Sequence, residues 1–281
     1  MQISQTIHSL SDVTRKWREQ GLVVGFVPTM GNLHAGHISL VEQAKSRCDR
    51  VVVSIFVNPL QFNEASDFNA YPKTLEADQQ KLIGAEVDLL FLPDTDLIYP
   101  QGQAGLTKVV VPEITEELEG AHRPGHFVGV STVVNKLFNL VQPQQAFFGE
   151  KDFQQLLLVQ KMVQDLNMAV EIIAVPTRRE TDGLAMSSRN ARLSEEQRMI
   201  APKLHQVLLQ AKQQVLDRSA SIEEIELRAM HELENAGFAP EYVSVRSTEN
   251  LQPVAQDVVS RIILAAARLG DVRLIDNLFI D

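Results

Sequence analysis

Two histidines, His34 and His37, stand three residues apart across Gly36 in the segment Pro28-Thr29-Met30-Gly31-Asn32-Leu33-His34-Ala35-Gly36-His37. Imidazoles at such spacing can donate hydrogen bonds to an anion, move a proton or hold a metal. The preceding run Leu22-Val23-Val24-Gly25-Phe26-Val27 reads as a buried strand, and Ile38, Val41, Ala44 and Cys48 recur behind the pair at helical spacing. The pair therefore sits where a strand passes into a helix. Unpaired N–H groups and the positive end of the helix dipole favour phosphate there, so the pattern predicts a nucleotide site. A metal site lacks support, because the glutamate of His-Glu-x-x-His is missing and no cysteine pair or third histidine lies nearby. Taken alone, the two side chains fit surface or capping roles equally well.

Three further segments carry chemistry-bearing residues. Phe56-Val57-Asn58-Pro59-Leu60-Gln61-Phe62 offers two amides beside a proline-stiffened turn, and amides can both donate to and accept from a hydroxy acid. Phe148-Gly149-Glu150-Lys151-Asp152-Phe153-Gln154-Gln155 opens a helix whose apolar face is Phe153, Leu156, Leu157, Met162 and Val163. Glycine there permits close backbone approach, Lys151 brings a mobile cation and Asp152 is a natural cap. Asp182-Gly183-Leu184-Ala185-Met186-Ser187-Ser188-Arg189-Asn190 supplies hydroxyls, an arginine and free backbone N–H groups, a set that can close over a triphosphate. An ordinary Asn-Pro turn, a Lys-Asp turn and a helix cap would explain each segment without function. No Gly-x-x-x-x-Gly-Lys-Ser/Thr occurs, which excludes a P-loop.

The elements that must position these residues follow from periodicity. Strand-like runs fall at 22–28, 51–57, 87–92, 107–112, 145–148 and 170–175, with helical patterns at 36–48, 72–84, 127–141 and 152–165. Their alternation predicts an α/β domain over 1–176 with a doubly wound, mostly parallel sheet covered on both faces. In such sheets ligands bind beyond the carboxyl ends of the strands, which is where the motifs fall. Beyond Pro176, helical patterns at 194–217 and 221–236 precede strand-like runs at 241–246, 259–267 and 272–276, which predicts a smaller α+β domain over 177–281. No internal repeat or low-complexity linker interrupts the chain.

With 281 residues and 44% apolar composition the chain can bury a sizeable core. It carries no basic-then-apolar leader and no apolar run near the roughly 18 residues of a membrane span, so cytoplasmic residence is expected. Cys48 is the single cysteine, excluding an internal disulfide framework and fitting a core position. The net charge of −10 argues against nucleic-acid binding. From Ser221 onward 11 acidic residues face 5 basic ones, whereas Arg123, Lys151, Arg178, Arg179, Arg189 and Arg192 gather near the motifs, leaving a small anion as a reasonable ligand.

Taken together, Pro28-Thr29-Met30-Gly31, His34-Ala35-Gly36-His37, Phe56-Val57-Asn58-Pro59-Leu60-Gln61-Phe62, Arg123-Pro124-Gly125-His126-Phe127, Gly149-Glu150-Lys151-Asp152 with Gln155, and Met186-Ser187-Ser188-Arg189-Asn190 resemble the pantoate:β-alanine ligase family of the HIGH-motif nucleotidyltransferases. The likeness runs from the N-terminal segment to the last strand. It implies a Rossmann-like ATP domain, a C-terminal lid, a homodimer, and magnesium accompanying ATP as co-substrate. It also implies that pantoate is activated as pantoyl adenylate with loss of pyrophosphate and then captured by β-alanine with loss of AMP.

Carried over by position, the resemblance assigns catalysis to His34, His37, Lys151, Ser187, Ser188 and Arg189. ATP would be bound by Pro28, Thr29, Met30, Gly31, Asn32, Leu33, His34, Ala35, Gly36, His37, Gly149, Glu150, Lys151, Asp152, Arg178, Met186, Ser187, Ser188 and Arg189. Pantoate would meet Met30, Gln61, Phe62 and Gln155, β-alanine would meet Gln61, and Arg123 would steer β-alanine or brace the lid. Asp78 would stand in the outer shell of magnesium. Arg178 departs from the family pattern, which has an apolar residue there; if adenine is read there by backbone groups, this side chain need only point to solvent. A stand-alone nucleotidyltransferase would share the histidines but need no amine, and a non-catalytic nucleotide sensor would not need the donors.

Overall fold

The computed structural model describes residues 1–62, 68, 71–254 and 260–280. The chain divides into two compact units, one of Met1–Glu150 with Gln155–Pro176 and one of Lys151–Gln154 with Thr177–Asp281.

In the first unit, β1 (Gln2–Ser4), β2 (Val24–Thr29), β3 (Arg50–Ile55), β4 (Leu89–Phe91), β5 (Gln145–Gly149) and β6 (Glu171–Val175) form one sheet in the order β1-β4-β3-β2-β5-β6. Every pairing is parallel. The central strands β2, β3 and β5 are mostly apolar and buried because both faces are covered, whereas the edge strands β1 and β6 are partly exposed. Val27, Val53 and Phe147 pack with Leu40, Val41 and Ala44 of the helix Ala35–Arg47. Neighbours one residue away turn to the other face, where the rings of Phe26 and Phe148 each lie 6.3 Å from Phe138 on the helix His126–Val141. The order reverses between β2 and β5, which makes their carboxyl ends the switch point where α/β sheets bind ligands.

The expected run at 107–112 is not a strand. At its middle, helix hydroxyls take the place of a sheet neighbour: Val109 N–H donates to Thr132 Oγ1 at 3.0 Å, and Ser131 Oγ donates to Val109 O at 2.6 Å. A short strand, β1, and a helix, Ile7–Glu19, occupy the N-terminal stretch, where periodicity predicted no element. That helix carries Ile7, Leu10, Val13 and Trp17 at helical spacing, with Leu10 and Thr14 fully buried.

In the second unit, β7 (Ala239–Ser247), β8 (Arg261–Leu269) and β9 (Val272–Ile280) form an antiparallel sheet in that order. Position 259 of the expected 259–267 strand lies outside the described residues. Leu204, Leu208 and Val215 from the helix Lys203–Leu216, with Ile225 and Leu233 from the helix Ile222–Asn235, close a core with Ile263, Ala265 and Leu274. The pattern at 194–217 is two helices, Glu195–Ile200 and Lys203–Leu216, because Pro202 has no N–H to continue the first.

Candidate active site

In the first unit, β2 ends in a turn that Gly31 (φ +82°) and Asn32 (φ +50°) take through the left-handed region. Asp78, on the helix Leu75–Gly84, is 1% exposed and reaches that turn with both oxygens. Asn32 N–H donates to Oδ2 and Leu33 N–H to Oδ1, each at 2.8 Å, and Thr74 Oγ1 donates to Oδ2 at 3.1 Å. Lys81 Nζ from the same helix donates to Leu33 O at 2.6 Å. Asp78, expected near magnesium, thus has its carboxylate engaged in bracing the loop that leads to the histidines.

His34 is the N-cap of the helix Ala35–Arg47, its Nδ1 accepting from Gly36 N–H at 3.1 Å, while His37 Nδ1 accepts from His34 N–H at 3.3 Å. The two imidazoles form a reciprocal capping box, with ring centroids 4.1 Å apart. A backbone N–H can only donate, so each neutral ring carries its proton on Nε2. Using Nδ1 as acceptor makes Nε2 the donor nitrogen of each neutral ring, at a helix N-terminus.

The second cluster centres on Gln61, which is 8% exposed in the short 3₁₀ turn Pro59–Gln61. Its Oε1 accepts from Asn58 Nδ2 at 3.2 Å, and its Nε2 lies 2.8 Å from Met30 Sδ. Asn58 is oriented in turn: Nδ2 donates to Gly129 O at 3.1 Å, and Oδ1 accepts from Tyr99 at 2.7 Å. The Gln61 carbonyl accepts from His126 Nδ1 at 2.8 Å and from Arg123 Nη2 at 3.4 Å. Arg123 Nη1 also lies 3.2 Å from His126 Nε2. Met30, Gln61 and Arg123 are thereby brought together, and Phe62 packs edge-on against Tyr71 at 5.7 Å. Gln155, half-buried, opens the first-unit part of the helix Phe153–Asp165.

Sequence reasoning missed Gly129, Tyr99 and His126 as supports of this cluster. A methyl at Gly129 would lie 2.5 Å from the Leu60 carbonyl carbon and 2.8 Å from the Gln61 nitrogen, so the helix His126–Val141 approaches the turn only because that residue is glycine. At the end of β5, the space a methyl would take at Gly149 is open, and burial pushes the Glu150 carboxyl above its ordinary range.

In the second unit, Lys151 and Asp152 complete the 3₁₀ turn Glu150–Asp152, with Asp152 exposed. Ser187 caps the short turn Ser188–Arg192, its Oγ accepting from Arg189 N–H at 3.3 Å. Arg178 is exposed, and its carbonyl accepts from Met186 N–H at 3.0 Å. Arg179 instead turns inward to Asp276, with Nη1 2.7 Å from Oδ2 and Nη2 2.8 Å from Oδ1. Burial pushes the Asp276 carboxyl up, but nearby His205 and the Arg179 hydrogen bonds and charge outweigh it and hold the group below its ordinary value.

Among the described residues, no three His, Cys, Asp or Glu side chains gather to hold a metal ion, and no helix is long and apolar enough to cross a membrane.

The profile of the family described as Pantoate-beta-alanine ligase matches residues 2–279. A pantothenate synthetase of Pseudomonas fluorescens is 50% identical over 281 residues, covering 100% of this chain and 98% of its own. The crystal structure of pantothenate synthetase from Thermus thermophilus superposes with a TM-score of 0.90 at 44% identity, over 100% of this chain and 99% of the other. The pantoate-β-alanine ligase of Francisella tularensis, solved with β-γ ATP and β-alanine, gives a TM-score of 0.84 at 38% identity over 99% and 97% of the two chains.

Proposed function

The chain belongs to the pantoate–β-alanine ligase family, and from that membership we infer that it condenses pantoate with β-alanine at the expense of ATP. The observation that carries the reading is the match over residues 2–279 combined with a histidine pair that presents Nε2 donors at a helix N-terminus.

The chemistry is an acyl activation followed by aminolysis. A pantoate carboxylate oxygen attacks the α-phosphorus of ATP, the bond to the bridging oxygen breaks, and pyrophosphate leaves. The β-alanine amine then attacks the acyl carbon, the carbon–oxygen bond to AMP breaks, and the amine gives up a proton. In both steps charge grows on phosphate oxygens, so fixed donors and in-line positioning do most of the work.

We assign that work as follows. His34 and His37 donate from Nε2 to the phosphates, with His37 the donor that strengthens in the transition state. The segment 28–37 and Glu150 receive the nucleotide, with Gly149 and Asp152 toward the ribose. Gln61 and Gln155 hold the pantoate hydroxyls and carboxylate, while Met30 and Phe62 meet its dimethyl carbon. Arg123, which supports the Gln61 carbonyl, is assigned with Gln61 to β-alanine. For the second unit, we propose that Lys151, Ser187, Ser188 and Arg189 bind phosphate oxygens and that the backbone around Arg178 and Met186 reads adenine.

ATP would carry magnesium, and few direct protein ligands would be needed to hold it. Neutralising phosphate charge is the chemistry it supplies when bound, and Asp78 would act on it only at the distance of an intervening water. A cytoplasmic homodimer completes the proposal, with light scattering as the check on the oligomer.

The experiment is exchange of labelled pyrophosphate into ATP with pantoate alone, alongside net turnover with β-alanine added. Pantoate-dependent exchange together with β-alanine-dependent turnover is expected. Exchange indifferent to pantoate would overturn the reading and turn attention to phosphate-bearing acceptors.

A further inference from the structure

Two adjacent polar residues of β9, Asp276 and Asn277, are only 3% and 5% exposed. Asp276 receives the guanidinium of Arg179 through two hydrogen bonds, and His205 Nδ1 lies 3.4 Å from Oδ2, an ion-pair distance. The same guanidinium donates from Nη1 to Gly183 O at 3.1 Å and from Nη2 to Asn277 O at 3.2 Å. Arg179 also pairs its backbone with Ala185 in an antiparallel bridge, and Ala185 O accepts from Asn190 Nδ2 at 3.0 Å. The loop bearing Ser187, Ser188 and Arg189 is thus closed at its base by Asn190 on Ala185, and Ala185 is paired in turn with Arg179, which Asp276 holds.

Asn277 reaches a different segment. Its Nδ2 donates to Lys151 O at 3.0 Å, and two residues along the strand the Phe279 ring packs at right angles to Phe153 with centroids 5.4 Å apart. Strand alternation puts residues 277 and 279 on one face, so that face grips the segment beginning at Lys151. These contacts explain why Lys151–Gln154 belongs with the second unit although the chain on both sides belongs to the first.

A buried ion pair is a weak source of stability, since apolar residues of similar volume often serve as well, whereas a bidentate fork fixes orientation. We propose that Asp276 and Asn277 are positioning residues for phosphate binding: Asp276 sets the Ser187–Arg189 loop through Arg179, and Asn277 sets Lys151 through its backbone carbonyl. One peptide unit of β9 thereby references two segments that lie far apart in sequence. The inference rests on the reading that Lys151 and the Ser187–Arg189 loop bind ATP.

The test is a double-mutant cycle in the full-length enzyme, read by equilibrium binding of Mg-ATP and by KM for each substrate. Losing one net hydrogen bond corresponds to about tenfold, so Asn277→Ala is expected to weaken Mg-ATP binding about tenfold and leave the pantoate KM within about twofold. In a Lys151→Met background there is no cation left to position, and Asn277→Ala should then change Mg-ATP binding by less than about twofold. The matching cycle of Asp276→Asn with Arg189→Met should be equally non-additive.

Additive effects would reduce Asn277 to a structural residue and overturn the proposal. Should Asn277→Ala fail to fold, Asn277→Asp keeps the shape while replacing the donor with an oxygen, and the same cycle applies. Wild-type ATP binding in Lys151→Met would sink the underlying phosphate assignment. An impaired Lys151→Met beside unchanged Asn277→Ala and Asn277→Asp enzymes would sink the positioning inference alone.

Discussion

A histidine that caps a helix with one nitrogen presents the other as a donor, and this division of labour makes the variants of His34 and His37 informative. His37→Ala removes a proposed transition-state donor, so turnover should fall by about 10² to 10³. It also removes the acceptor for His34 N–H, at a helix-stability cost of about 1 kcal/mol. Near-normal turnover, or a lost far-ultraviolet circular dichroism spectrum, would count against the assignment. Asp78→Ala tests the brace beneath the pair. Two backbone N–H groups would lose their acceptor, lowering stability by about 2 kcal/mol or more and reducing turnover in parallel; a melting curve and kcat measured together decide it. The histidines were legible in the sequence because motif, strand and helix are contiguous. The brace was not, since Asp78 meets Asn32 across 46 positions and nothing near either residue announces the other. Gln61 shows the intermediate case: its amide was visible as a candidate, while the supports from Tyr99, Gly129 and His126 came from distant stretches.

At the scale of elements, the helix His126–Val141 does more than cover the sheet. Its hydroxyls hold the 107–112 segment, and its glycine admits the turn carrying Gln61. Gly129→Ala should therefore push the 58–61 turn away and raise the pantoate KM several-fold while leaving Mg-ATP binding within about twofold. The strain should cost about 1–3 kcal/mol of stability, as overpacking typically does. Steady-state kinetics for both substrates would show it, and equal losses for both would place Gln61 outside the acid pocket. Most strands and helices of the fold could be read from periodicity, because each has one or two apolar faces. The exceptions have physical causes. In the apolar run at 107–112, Val109 bonds its backbone to the hydroxyls of Ser131 and Thr132, an option that hydrophobic pattern does not encode. Pro202 divides a continuous helical stripe by removing one donor.

For the whole molecule, acid tests the buried carboxyl of Asp276 in the second unit. The Asp276 carboxyl lies below its ordinary value when folded, so the folded protein binds that proton less readily than the unfolded chain. Its stabilisation is complete above the unfolded value of about 3.9 and is lost as pH falls from there through the folded value. Denaturant unfolding followed from pH 6 to pH 3 should show stability declining with acid, and Asp276→Asn should flatten that part of the curve. An unchanged slope would show that other carboxylates carry the acid response. No local pattern in the sequence foretold the pair, whose partners Arg179 and Asp276 are 97 positions apart. The grouping of Lys151–Gln154 with Thr177–Asp281 has a further consequence for anyone dividing the gene. The polypeptide passes between units three times, so no single cut yields two self-sufficient fragments: a piece ending at Pro176 takes the Lys151 tetrapeptide away from β9, and the complementary piece leaves Asn277 with no carbonyl to hold.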